Sequence, residues 1–293
     1  MNFTLHTTGP VRQDLGLLLR ARQQQLKNYQ HLSLLPTFHT LTPPSDEISH
    51  ISCLQLYLGS ERDCGVAKQL FENMPSVTSL SIKLSSARLD RTIGGKCETG
   101  RKIIVKIFDS TNASRPHQKL KRLRIERMSF KSAGFILPTV LPLDELEHLH
   151  LFRCRYTNRL CESLSQLKLR LKSYCDLRAY NVSNPGAYDT FMRSIQPLRK
   201  LRLSCDQADS TGWDSCDWAS FLPHANELRC LDLRDNDPAR PLFATTRRSL
   251  AGFRSFCANA SHIQQLSING PSLQENQWDM PRGMDAFLVS CYF

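Results

Sequence analysis

One six-residue pattern, L-x-x-L-x-L, returns along this chain at near-regular intervals, and an internal repeat constrains a fold more than any single residue can. It reads ISCLQL from Ile51, VTSLSI from Val77, LKRLRI from Leu120 and LEHLHL from Leu146. It continues as LRKLRL from Leu198, LRCLDL from Leu228 and IQQLSI from Ile263, and a degraded copy, LKSYCD from Leu171, fills the place where one is due. Successive starts lie 26, 43, 26, 25, 27, 30 and 35 residues apart. The last two apolar positions of each copy are two residues apart, so on a short strand both point to one face. One such unit cannot bury that face alone, and neighbours must stack on each other.

Between the copies the periodicity becomes helical. Apolar residues recur at three and four in VAKQLFENM (66–74), RLCESLSQLKLRL (159–171), YDTFMRSI (188–195), WASFL (218–222) and RRSLAGFRSFCANA (247–260). Pro75, Pro197 and Pro223 follow three of these segments and end them, because proline cannot continue a helix. Alternation of strand and helix at this period predicts an α/β solenoid: a curved horseshoe with parallel strands on the concave face and helices on the convex face. The fuller pattern ends in Asn or Cys and is completed at Cys154 and Asn236, where a small buried group can serve the turn after the strand.

A solenoid can absorb the whole 293-residue length. Residues 1–47 are expected to form an N-terminal capping helix (10–35) and a proline-containing linker. Residues 48–270 then hold about eight irregular repeats, with a loop insertion near 86–117. Residues 271–293 form a C-terminal cap or a truncated end. The insertion contains GGKCETGRK, whose Gly95 and Gly100 have phosphate-loop spacing; Arg101 and Lys102 stand where that motif needs Lys and a hydroxyl, so nucleotide binding is not expected.

Eleven cysteines are scattered without a C-x-x-C pair, and the first residues lack the apolar run of a signal peptide. Reduced, buried thiols in a cytoplasmic or nuclear protein fit this usage. No apolar stretch approaches the roughly 20 residues that span a bilayer. The acidic loop near 204–217 matches no metal-binding spacing, nor do His148, His150 and Cys154 make a zinc set, since Cys154 belongs to a buried turn. No G-x-S-x-G, H-E-x-x-H or paired carboxylate constellation is present, so no enzyme activity, cofactor or resident metal is expected.

The formal charge is +11, which suits an acidic partner or nucleic acid. Strand alternation places specific residues on the concave face: Tyr57, Lys83, Arg122, Arg124, Glu126, His148, His150, Phe152, Lys200, Arg202, Asp232 and Arg234. Arginine forks favour carboxylate or phosphate, and Arg and aromatic anchors dominate binding energetics at interfaces. The expected partner is therefore an acidic or phosphorylated protein segment. The alternative is a basic RNA- or DNA-binding solenoid, although the face has few aromatics for base stacking.

Over about residues 48–270 the repeats resemble the leucine-rich-repeat superfamily. The stretch LKRLRIERMSFKSAGFILPTVLPLDELEHLHLFRC (120–154) resembles the repeat region of fungal F-box/leucine-rich-repeat proteins. That resemblance implies a substrate-recruiting receptor of an SCF-type ubiquitin ligase, with the repeats holding the target. The chain departs from the family in lacking a recognisable F-box, since Leu35-Pro36-Thr37-Phe38 is only a poor echo of its opening motif. Binding to the ligase adaptor is accordingly not expected of this chain by itself.

Overall fold

Every copy of the repeat becomes a strand. The computed structural model describes residues 3–4, 31–34, 49, 51–58, 61–84, 99–108, 119–131, 133–179, 185–205, 217–235 and 247–269. The chain divides into two units, Met1–Leu146 and Glu147–Phe293. Both are α/β, with parallel strands in chain order and helices between them.

The first unit contains β1 (Phe3–Thr4), β2 (His31–Leu34), β3 (Cys53–Leu58), α1 (Glu61–Asn73), β4 (Ser79–Leu84), α2 (Thr99–Phe108), β5 (Arg122–Glu126) and the single turn α3 (Leu137–Val140). β3 and β4 alternate between half-buried and buried residues, and Leu54, Leu56, Leu80, Ile82, Leu123 and Ile125 form the inner row. Their register aligns like with like: Leu54 beside Leu80 beside Leu123, and Leu56 beside Ile82 beside Ile125. A one-residue slip would turn every leucine to the outer face. The backbone guards against it. The Ser52 carbonyl accepts from both Thr78 and Ser79 N–H, and the Thr78 carbonyl accepts from both Lys121 and Arg122 N–H.

The second unit contains β6 (His148–Phe152), α4 (Thr157–Leu164), β7 (Ser173–Ala179), α5 (Pro185–Ser194), β8 (Lys200–Cys205), a 3-10 helix (Trp218–His224), β9 (Cys230–Asp235), α6 (Arg247–Asn259) and β10 (Gln265–Asn269). The same forked bonds recur: Glu147 O accepts from Lys172 and Ser173, Lys172 O from Arg199 and Lys200, Arg199 O from Arg229 and Cys230, and Arg229 O from Gln264 and Gln265. Trp218 of the 3-10 helix packs edge-on against Phe253 of α6, with ring centroids 4.8 Å apart. A side chain at Gly252 would lie 3.1 Å from Trp218 Cβ, so glycine lets these two elements approach.

Two expectations change. Residues 31–34, placed in a capping helix over 10–35, form a strand that pairs in parallel with β3, Leu32 beside Leu54. The part of that helix before His31, the rest of the linker and the 271–293 cap lie outside the described residues. The insertion near 86–117 is not loop throughout, because Thr99–Phe108 is helical. Ile103, Ile104, Ile107 and Phe108 make a buried stripe on α2, and Phe108 meets Phe71 of α1 edge to face at 5.0 Å. At Gly100 an added Cβ would lie 2.3 Å from the Ser129 carbonyl oxygen, so the first turn of α2 rests directly on that backbone.

The degraded copy holds two polar residues where leucines stand elsewhere. Tyr174 and Asp176 of β7 both point into the core and are buried. The Tyr174 hydroxyl lies 3.4 Å from Asp176 Oδ2, Tyr188 of α5 donates to the same oxygen, and Thr157 Oγ1 of α4 lies 3.0 Å from the Tyr188 hydroxyl. Among the described residues Asp176 Oδ1 has no hydrogen-bond partner. Burial pushes the Asp176 carboxyl up from 3.8 to about 7, against the lowering pull of its bonds to Thr157 and Tyr174. His224 is the opposite case. It is fully buried, accepts from Leu198 N–H at Nδ1 and donates from Nε2 to the Met192 carbonyl, and burial pushes its pKa from 6.5 down to about 4.

Two predictions follow from these packing details. Gly65 has no atom within 4 Å of where a Cβ would go and lies inside α1, so Gly65→Ala should stabilise by about 0.5–1 kcal/mol. Gly100→Ala should destabilise by roughly 1–3 kcal/mol, because the helix must lift from Ser129. Urea denaturation of the two variants should move in opposite directions.

The second prediction concerns pH. The folded protein keeps the Asp176 proton that the unfolded chain releases above about 3.8, so this contribution to stability is lost as pH rises towards 7. The unfolded chain takes up a proton at His224 below about 6.5 that the folded protein refuses until about 4, so this contribution is lost as pH falls. The two slopes oppose each other across one window. Asp176→Asn should therefore stabilise at pH 8, with the gain shrinking towards nothing by pH 4. A gain equal at both pH values would refute the assignment.

Candidate functional site

On each unit the strand positions that do not enter the core form a second face. In the first unit its rows are Cys53, Ser79 and Arg122; then Ser33, Gln55, Ser81 and Arg124; then Tyr57, Lys83 and Glu126. Arg122 and Arg124 are exposed, as two successive outward positions of β5 must be. Lys83 Nζ lies 5.7 Å from the centroid of the Tyr57 ring, a cation–π distance.

Glu126, which strand alternation puts on this face, is largely covered, its side chain only 12% exposed. Lys83 Nζ lies 3.2 Å from Oε1, Arg124 Nη2 3.6 Å from Oε2 and Arg127 Nε 3.6 Å from Oε1. Three cations explain why a carboxylate can be buried here. Arg127 was not among the sequence candidates. It stands one residue past the strand in the left-handed region (φ 64°), a conformation that turns the chain and brings its guanidinium back to Glu126. Arg153, one residue past β6, repeats that geometry (φ 52°). The shared signal is an arginine in the seventh place after the leucine that opens the copy, at Leu120 and again at Leu146.

The second unit brings together His148, Ser173, Lys200, Cys230 and Gln265 in one row and His150, Cys175, Arg202, Asp232 and Ser267 in the next. Phe152, Leu177, Ser204, Arg234 and Asn269 follow in register, while the Arg234 side chain lies outside the described residues. The rings of His148, His150 and Phe152 step along β6 edge to face, 6.4 and 6.3 Å apart. His150 Nε2 is 3.2 Å from Ser173 Oγ, and His148 Nε2 is 3.9 Å from Glu147 Oε2. Asp232, placed on the open face by sequence, is buried beneath Arg202, whose Nε lies 3.6 Å from Oδ2. Ser173 and Cys175 were missed because the copy that carries them is degraded; the gap in the repeat spacing was their only signal.

The charge is therefore uneven. On the first unit Lys83, Arg124 and Arg127 surround the Glu126 carboxylate, and Arg122 is exposed on the same strand. On the second, Arg202 faces Asp232, Lys200 lies beside Cys230, and serines, a glutamine and histidines fill the rows. Among the described residues no group of three metal-ligating side chains comes together. Burial pushes the thiols of Cys64, Cys175 and Cys257 up to about 12, so they stay protonated and weakly nucleophilic at neutral pH. No helix among the described residues is long and apolar enough to cross a membrane. No protein-family model and no curated protein sequence matches the chain.

Proposed function

We propose that this chain is a leucine-rich-repeat interaction module, a horseshoe with its strands on the concave side, and that it binds an acidic or phosphorylated segment of a protein partner without catalysing a reaction. Recruitment of a substrate in an SCF-type ubiquitin-ligase pathway is the biological setting this reading implies. One observation carries it. Arg122 and Arg124 are exposed on the same strand face, flanked by serines, with Lys83 and Tyr57 in the next row. Exposed arginine forks beside small polar residues leave room for a carboxylate or phosphate to lie flat against them. Nucleic acid is the weaker reading, because Tyr57, the aromatic of this face, already has Lys83 over its ring and offers little to a stacking base.

The test compares proteins retained from nuclease-treated extract by the wild type and two variants. Arg122→Glu with Arg124→Gln removes two positive charges and adds one negative charge, while glutamine keeps a donor for Glu126. Lys200→Glu with Arg202→Gln does the same on the second unit. The first pair should weaken partner binding by roughly tenfold or more, since a charge-assisted hydrogen bond is worth about 1.5–3 kcal/mol. The second pair should matter less, because Arg202 already engages Asp232. Partners lost on nuclease treatment would transfer the function to nucleic acid. Undiminished binding by the first pair would remove the face from the site.

A further inference from the structure

Asp176 stands at a core position that leucine or isoleucine holds in every intact copy of the repeat. In register it lies between Leu151 of β6 and Leu203 of β8, so the strands on both sides offer it only apolar side chains. The polar groups around it are the hydroxyls of Tyr174 on β7, Tyr188 on α5 and Thr157 on α4, with Cys161 of α4 3.4 Å from the Tyr174 hydroxyl. Cys175, its neighbour on β7, belongs to the outward row. Among the described residues no cation acts on Asp176, and its Oδ1 has no hydrogen-bond partner. Burial pushes the Tyr174 hydroxyl and the Cys161 thiol far up, so both keep their protons. The Asp176 carboxyl is the group of this cluster that changes charge below neutral pH or near it.

α5 is held differently along its length. Its later turns are tied to the 3-10 helix: the Met192 carbonyl accepts from His224, Asp189 Oδ1 accepts from Ser220 Oγ, and Arg193 pairs with Asp217. Phe191 and Met192 are fully buried there. The first turn has less. Ala187 is its buried apolar residue, and Tyr188, half-buried at the rim, reaches in to Asp176, Tyr174 and Thr157. A protonated carboxyl suits that place, since the buried side chain is then neutral and Tyr188 bridges β7 and α4. An ionised one leaves a charge between two leucines with no cation to answer it, and such a charge must be hydrated. Lifting the first turn at Tyr188 admits water at the smallest loss of apolar burial. We propose that the first turn of α5 is a proton-operated latch: protonated Asp176 keeps Tyr188 seated against β7, and ionisation frees that turn while the later turns of α5 and the strand ladder stay in place.

With the turn open, Asp176 is back in water at its ordinary 3.8; with the turn closed it titrates at about 7. Opening therefore grows easier as pH rises between those values and levels off above them. The test is hydrogen exchange on the full chain at pH 5, 6, 7 and 8, expressed as protection factors so that the intrinsic pH dependence of exchange cancels. The amides of Asp189 and Thr190 report the first turn, because their helical acceptors are the carbonyls of Pro185 and Gly186. Ile195, whose N–H bonds the Phe191 carbonyl, is the reference. In the wild type, protection at Asp189 and Thr190 should fall by roughly five- to tenfold per pH unit between pH 5 and 7, while Ile195 stays level. Asp176→Asn should abolish that dependence, and Asp176→Leu, which restores the residue of the intact copies, should abolish it too; thermal melting checks that each variant folds. Tyr188→Phe should lower protection of the same two amides already at pH 5 and leave Ile195 protected. An equal loss of protection at Ile195 would mean that the whole unit loosens, which overturns the latch and leaves the dependence of stability on Asp176 standing. A level wild-type profile, a pH dependence that survives the Asp176 variants, or wild-type protection in Tyr188→Phe would each overturn it as well.

Discussion

The forked hydrogen bond between successive repeats is the constraint on which the rest depends. In each unit a carbonyl at the second position of one copy accepts two consecutive N–H groups from the next copy. The strands are thereby held in phase before any side chain is considered. The leucines then fall into rows, because residues of equal phase share a face. The outward positions follow with no further requirement: if Leu123 lies beside Leu80, Arg124 must lie beside Ser81. The cationic face is in this sense a by-product of burying leucine. The same logic explains how β7 can carry Tyr174 and Asp176 in place of two leucines and keep its register. Its backbone bonds are intact, and the polar side chains meet hydroxyls from α4 and α5.

That dependence also explains what could be read in advance. Seven intact copies and one degraded copy predicted eight strands at the right places, because a period-two apolar pair is a local signal. His31–Leu34 escaped because its copy would open on Tyr29, outside an aliphatic template, and because the preceding leucines suggested a helix continuing through it. α2 escaped for a different reason. The stripe Ile103, Ile104, Ile107 and Phe108 was present, but the glycines and charges just before it gave the whole insertion the look of a loop. The approach of Gly100 to Ser129 is non-local and leaves no mark in sequence.

The outward residues were legible as a set, and their individual burial was not. Strand alternation placed Glu126 and Asp232 on the outward face and said nothing of how far each is covered. What buries Glu126 is the arrival of Lys83 from the neighbouring strand and of Arg127 from a left-handed turn, and what buries Asp232 is Arg202 across the ladder. Each depends on register and on one unusual backbone angle, and neither is visible in a window of sequence. Pairing of this kind couples recognition to stability. A buried carboxylate deprived of its cations costs several kcal/mol, whereas an exposed arginine removed from a strand face costs little.

The outward residues therefore divide by what they can tolerate. Among the described residues no ion pair joins Arg122 to a buried acid, so it can change at little cost to the fold. Lys83 and Arg127 cannot change without answering for Glu126, so they move with it or not at all. A face built in this way has a fixed cluster of paired cations and an exposed arginine on the same strand. Core leucines fix the rungs, a buried acid fixes the cations around it, and what remains free to specify a partner is a small number of exposed side chains at known places in the register.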